Sequence, residues 1–300
     1  MLKKIVIFGV GLIGGSFALA LRKAGAVEQI VGVGRSAASL LRAKELGIID
    51  VISTSLEESL KNADLVLLAV PVAQTEATLF AIKPYLEKNT IVTDAGSIKG
   101  EVVLAARRAL GDKVGQFVPG HPIAGLESTG PDAAIEDLYI GKKVVLTPLS
   151  ENSAEQVATV QQAWQQCGAV IHQLTPENHD AVFAAVSHLP HLLAYALVDD
   201  IANKEHADLL FQYAASGFRD FTRIAGSSPE MWRDISLTNQ DAILTELDAY
   251  IAQLTRLRNQ LADADGAAIH AMFSNAQRAR QNWQRSIETA EVQPKQDGDE

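Results

Sequence analysis

His121 stands between Gly120 and Pro122 in Gly120-His-Pro-Ile-Ala-Gly125, so its imidazole is carried on a constrained backbone. An imidazole with an ordinary pKa of ~6.5 is mostly neutral near pH 7, the state a general base needs. Asp94-Ala-Gly-Ser-Ile-Lys99 puts a serine and a lysine where a strand gives way to a helix. Ser97 there is either the helix N-cap or a hydrogen-bonding group of a site. Arg219 and Arg223 are four residues apart, which on a helix places both on one face. Such a pair can receive an anion, or can simply pair with Asp220, Glu230 or Asp234. His188 and His191 in Ser187-His-Leu-Pro-His191 lack a further ligand set, so no metal is expected. Cys167, the one cysteine, precedes Gly168 at the expected end of a helix and reads as a small buried hydrophobe. A single thiol permits no internal disulfide, which fits a reducing compartment.

The elements that must position these groups begin at the N-terminus. An apolar run over residues 5–8 leads into Gly9-x-Gly11-x-x-Gly14, and residues 12–21 behind it read as a helix. Strand, glycine turn and helix N-terminus in that order form a dinucleotide fingerprint. Gly9 allows the tight turn, Gly11 lets a pyrophosphate approach, and Gly14 lets the helix pack on the strand. Leu12 and Ile13, with Gly14, open the helix whose free N–H groups face the phosphates. The next strand covers residues 29–34, and the position that meets the adenosine ribose follows it. Gly34, Arg35 and Ser36 stand there without a carboxylate to repel a 2′-phosphate. Arg35 and Ser36 can bind one, so NADP is favoured over NAD, with NAD still open.

Further β-then-α alternation continues to about residue 176. A helix spans 40–46 with Gly47 beyond it, and strands follow at 51–52 and 63–70. The 63–70 strand ends at Val70-Pro71, beside the expected cofactor. A helix over 74–86, strands at 90–94 and 116–118, strands at 142–148 and 169–175, and a helix over 154–166 complete it. That pattern predicts an α/β, Rossmann-type doubly wound parallel sheet over residues 1–176, with ligands at the carboxyl ends of its strands. From residue 177 strand-like runs cease, and helical periodicity continues to 287. Within it, residues 239–261 carry one apolar stripe of Ile243, Leu247, Ile251, Leu254, Leu257 and Leu261. Residues 288–300 are polar and aperiodic, and a disordered tail is expected.

Composition narrows the partners. Three hundred residues suit two domains at ~100–200 residues each. A net charge of −10 argues against nucleic acid or an anionic membrane surface, and favours a small molecule. Neither a signal peptide nor an apolar stretch long enough for a transmembrane helix is found, so a soluble cytoplasmic protein is expected.

GVGLIGGS, DAGSIK and GHPIAGLESTG, in this order and spacing, resemble the prephenate and arogenate dehydrogenases of tyrosine biosynthesis. SHLPH, GFRDFTRIA and MWRDI extend the resemblance, which covers residues 3–287. It implies a C-terminal all-α substrate and dimerisation domain over 177–287, and hence a homodimer. It also implies NAD(P)-dependent oxidative decarboxylation of a cyclohexadienol. His121 would then take the substrate hydroxyl proton, and Ser97 would bond that hydroxyl or His121. Arg223 would bind a carboxylate with Arg219 assisting, and His188 would face the substrate while His191 is structural. Trp232 would be core, holding the arginine helix. Within these 300 residues no room is expected for a fused chorismate mutase or ACT domain. Two other readings stay open: a β-hydroxyacid dehydrogenase, whose catalytic lysine lies in its helical domain, and a non-catalytic NADP-binding sensor.

Overall fold

A computed structural model of the chain describes residues 1–126 and 128–292, with side chains to residue 286. Six strands form one parallel sheet: β1 (Leu2–Phe8), β2 (Val27–Val33), β3 (Val51–Ile52), β4 (Leu65–Leu68), β5 (Ile91–Asp94) and β6 (Phe117–Val118). Their order is β3-β2-β1-β4-β5-β6, the doubly wound arrangement with its switch point between β1 and β4. Side chains alternate across the sheet, as the strand period of two requires. Ile5 and Ile7 of β1 join Phe17, Leu21 and Trp164 on one face. Val6 and Phe8 join Leu79, Val103 and Ala106 on the other. Burial on both faces explains why these strands are continuous apolar runs.

The helices of this layer are α1 (Leu12–Lys23), α2 (Ala37–Glu45), α3 (Leu56–Leu60), α4 (Thr75–Ile82), α5 (Gly100–Leu110) and α6 (Ala154–Gln166). The helix expected over 74–86 is three pieces, because 3-10 turns at Val72–Gln74 and Lys83–Tyr85 flank α4. Pro84 sits in the second turn, where it removes a backbone donor from continuing the α-helix. α3 was not expected; Ser55 caps it by accepting from the Glu58 N–H.

At Pro119 the chain leaves the large sheet. β7 (Gly120–Pro122) pairs antiparallel with β8 (Lys143–Leu146), which pairs parallel with β9 (Val170–Gln173). This small second sheet was not foreseen, and it carries His121 opposite Val145, beyond the carboxyl end of β6. Every later described element is helical: α7 (Pro176–Phe183), α8 (Leu189–Ala202), α9 (Ala207–Gln212), α10 (Ser216–Thr222), α11 (Pro229–Thr238), α12 (Gln240–Ala262) and α13 (Gly266–Val292). The compact units divide at Ile243/Leu244, later than the sequence boundary near 176. The reason is that α7 packs on α5, and α11 on the turn after β4.

A π-turn over Ala184–His188 joins α7 to α8, with Pro190 held in the first turn of α8. The chain therefore continues helical from Pro176 to Ala202, long and apolar enough by length and composition to cross a membrane. This corrects the expectation that no such stretch exists. Pro190 does not end the helix; it falls directly after the π-turn, whose altered bonding pattern accommodates the missing N–H. α13 also runs five residues past the predicted end at 287, to Val292. The rest of the expected tail, 293–300, lies outside the described residues. In the second unit α12 and α13 are joined through Ala264, at φ +50°, and Gln253 meets Met272 across the pair.

Candidate active site

The fingerprint folds as its glycines demand. Gly9 lies at φ +91°, and a Cβ on it would sit 2.3 Å from the Ala69 carbonyl oxygen. A Cβ on Gly14 would fall 2.3 Å from the Gly9 oxygen and 2.8 Å from Ile7 Cγ2. Around Gly11 nothing comes nearer than Gly130 N at 4.0 Å. Gly11 also begins α1 with no side-chain cap, so the helix's first N–H groups stay available. That open cradle fits a dinucleotide pyrophosphate. Ala69, Val70 and Pro71 follow β4 directly beside Gly9. Arg35 is exposed past the end of β2, and Ser36 caps α2 by accepting from the Ser39 N–H.

Past the carboxyl ends of β5 and β6 lies a buried ionic cluster. Lys99 is fully buried; its Nζ donates to Asp94 Oδ2 at 2.5 Å and to the Gly120 carbonyl at 2.6 Å. Asp94 accepts in turn from the Gly96 and Gly120 N–H groups at 2.8 and 3.0 Å. Burial pushes the Lys99 ammonium pKa down, against the pull of Asp94 and Asp180. The pair fixes Gly120, and so the strand position of His121, against the end of β5.

His121 is half-buried. Its Nδ1 lies 2.8 Å from His179 Nε2, and His179 Nδ1 lies 2.7 Å from Asp180 Oδ1. Phe183 packs on both rings, with centroids 4.9 and 4.5 Å away. Asp180 also accepts the backbone N–H groups of Lys99 and Gly100, at 2.8 and 2.7 Å. It therefore caps α5 from another element, 80 residues along the chain. Ser97 does not cap that helix: the N-cap position is Lys99, and Ser97 makes no hydrogen bond among the described residues. Among the described residues His121 Nε2 has no hydrogen-bond partner, so this atom can meet a ligand. Burial first, then the neighbouring His179, Lys99 and His188, hold the His121 imidazole well below its ordinary pKa. It is neutral at pH 7, as a general base must be.

The two histidines of SHLPH differ in depth, and the one expected to face the substrate is the more buried. His188 is 1% exposed, and Asn239 Nδ2 donates to its Nδ1 at 3.1 Å. Burial lowers its pKa to about 4. It supports the cluster from within and has no surface to offer a substrate. His191 is half-exposed; its Nδ1 donates to the Ser187 carbonyl, and its ring stacks on Trp232 at 3.6 Å. Trp232 thus braces His191 and packs on Ile98 and Ile235, a core position as expected. Arg223 opens the 3-10 turn Arg223–Gly226, close enough for its charge to add to burial in depressing His191. Arg219, in the last turn of α10, is 80% exposed with Asp220 3.9 Å away, and it is not drawn into the cluster.

A neutral histidine with a free Nε2, set beyond the carboxyl ends of a dinucleotide-binding sheet, can take a proton from a substrate while a hydride leaves it. The comparisons point the same way. A family model described as prephenate dehydrogenase, nucleotide-binding domain, matches residues 17–173. A second, prephenate dehydrogenase, dimerization domain, matches residues 175–275. Cyclohexadienyl dehydrogenase of Zymomonas mobilis is 36% identical over 93% of this chain and 95% of its own. Prephenate dehydrogenase of Aquifex aeolicus, solved with hydroxyphenyl propionate and NAD+, superposes with a TM-score of 0.88 at 36% identity, over 94% of this chain and 98% of that one. Arogenate dehydrogenase of Synechocystis gives a TM-score of 0.80 at 31% identity, over 94% and 100%. With both halves matched and the site in place between the strand ends and the helices that follow, the chain belongs to the prephenate dehydrogenase family.

Proposed function

We propose that the protein catalyses the NAD(P)-dependent oxidative decarboxylation of prephenate, arogenate or both, in the cytoplasm. The observation that carries this reading is His121, neutral, with Nε2 unpartnered beside the glycine-turn sheet. His121 Nε2 accepts the ring hydroxyl proton. A bound oxidised nicotinamide supplies the hydride acceptor, and loss of carbon dioxide leaves an aromatic ring. Aromatisation drives the reaction, so the chain's task is a base and good positioning. Ser97, with its hydroxyl uncommitted, is available to the substrate hydroxyl. Arg223 receives a substrate carboxylate, with His191 beside it on the Trp232 face. Mixing the purified protein with NADP or NAD and either cyclohexadienol should reduce the nicotinamide; no reduction in any combination would overturn this reading.

Arg223→Ala is expected to raise KM more than it lowers kcat, because a carboxylate anchor acts in the ground and transition states alike. Steady-state kinetics on the substrate that turns over checks this, and a fall in kcat at unchanged KM would contradict it.

NADP is the proposed preferred cofactor. Arg35 is exposed and has no ion pair among the described residues, while Ser36 stands beside it at the start of α2. A 2′-phosphate would meet the guanidinium and the helix N-terminus together. kcat/KM should therefore be higher for NADP, and Arg35→Ala should reduce that ratio; a clear preference for NAD in the unaltered protein would refute it.

A homodimer is also proposed. On the stripe of α12, Ile251, Leu254 and Leu261 are 51%, 44% and 62% exposed in the single chain. Apolar surface of that extent favours burial against a second copy.

A further inference from the structure

The hydrogen bonds of the buried trio can be given a direction, each from the one before. Asp180 accepts three of them, from Lys99 N–H, Gly100 N–H and His179 Nδ1. Burial alone would raise its carboxyl pKa, but the bonds from His179, Lys99 and Gly100 outweigh burial and keep it low. An ionised carboxylate only accepts, so His179 must donate from Nδ1. Burial holds His179 neutral, so it has one ring proton, already placed on Nδ1. Its Nε2 is then a lone pair, 2.8 Å from His121 Nδ1. His121 must therefore donate from Nδ1. As a neutral ring it keeps its second nitrogen unprotonated, and that nitrogen has no partner among the described residues.

We infer that Asp180 and His179 are positioning residues that lock His121 in its Nδ1–H tautomer, so that the Nε2 lone pair faces the substrate hydroxyl. The use of that lone pair rests on the proposed function, whereas the tautomer is a property of the free protein. The geometry serves the reaction in two ways. Before it, no population is lost to the Nε2–H form, which could not act as a base. During it, the substrate O–H bond breaks and an N–H bond forms at His121 Nε2. The resulting imidazolium keeps donating from Nδ1 to His179, with the Asp180 carboxylate beyond. The trio thus carries one added proton, on His121 Nε2, which must pass to solvent before the next turnover. The α5 N-terminus completes the order. Its two backbone donors hold both carboxylate oxygens, which keeps Asp180 from rotating or protonating.

The test begins without substrate. In intact protein labelled with 15N-histidine, the ring-nitrogen shifts separate a protonated nitrogen from a lone-pair nitrogen, and His121→Asn identifies the His121 signals. At neutral pH His121 should show a protonated Nδ1 and a bare Nε2. His179→Phe keeps a ring against Phe183 but removes the acceptor. It should move His121 toward the Nε2–H form and lower kcat by roughly 10²–10⁴-fold, the range for losing a general base or inverting a catalytic histidine. KM should change little. His179→Gln, whose amide oxygen can accept from Nδ1, should restore the tautomer and most of kcat, which a loss of packing alone would not do. An Nε2–H tautomer in the unaltered protein, or wild-type turnover in His179→Phe, would overturn the inference. Because the tautomer is read with no cofactor or substrate, its failure is distinct from a failure to oxidise either cyclohexadienol.

Discussion

Replacing His121 with asparagine is expected to lower turnover by roughly 10²–10⁴-fold, the worth of a positioned general base, with little loss of stability. The asparagine amide can take the place of the imidazole Nδ1 and still donate to His179 Nε2, so the buried chain stays closed. What disappears is Nε2, the ring nitrogen with no partner among the described residues. Nicotinamide binding should be unaffected, because the fingerprint glycines and the α1 N-terminus lie on other strands. Unchanged turnover would remove His121 from the base role. The pH profile gives a second reading of the same atom. His121 is depressed well below its ordinary value by burial first and then by the neighbouring His179, Lys99 and His188, so it stays unprotonated as the pH falls through ~6.5. The acid limb of kcat/KM, which reports the free enzyme, should therefore lie clearly below 6.5. A limb at or above that value would show an imidazole more exposed to water and less burdened by charge.

How far this site can be read from sequence depends on how local each contact is. Gly9, Gly11 and Gly14 are legible because strand, turn and helix lie within one short stretch, and the glycine requirements are steric consequences of that turn. His121 is legible for the same reason, flanked by Gly120 and Pro122. His179 and Asp180 are not. They sit side by side in Pro176–Phe183, which reads as an ordinary first turn after the Thr175 cap. Their partners, Lys99, Gly100 and His121, lie 58 to 81 residues away in the chain. Only the fold shows that a carboxylate on α7 caps α5, and that the cap leads to the base. The same distance explains Ser97. A serine before a helix is a fair N-cap on local grounds, but α5 is capped from across the molecule. The roles of His188 and His191 turned on burial, which spacing does not encode. The π-turn rotates the helix between α7 and α8, leaving the first histidine inside against Asn239 and the second stacked on Trp232.

Lys99 was visible in DAGSIK, yet nothing local marks it as fully buried, since lysine is almost never so unless paired. Its removal is expected to have the largest effect on stability. Lys99→Met keeps an unbranched stem only one atom shorter, but leaves the Asp94 carboxylate buried at 1% exposure without its cation. Breaking one partner of a buried pair typically costs about 3–5 kcal/mol. In a unit of this size that corresponds to a fall in Tm on the order of 10 °C. The carboxylate still accepts from Gly96 and Gly120, so the backbone bonds survive, and the loss is one of uncompensated charge. Neutralising the other partner should then recover part of it. The double variant Lys99→Met with Asp94→Asn is expected to melt above the single Lys99→Met variant, because only the single variant holds an unpaired ion in a poorly solvating interior. Thermal unfolding of both variants and the unaltered protein, at one pH and salt concentration, checks the order. If the double variant melts below Lys99→Met, the unpaired charge costs less than the acceptor that asparagine withdraws from the Gly96 or Gly120 N–H, and the charge argument fails. The consequence for chemistry follows from the same bonds. Lys99 Nζ holds the Gly120 carbonyl at 2.6 Å, directly before His121, so the residue that stabilises the unit also sets where the base stands.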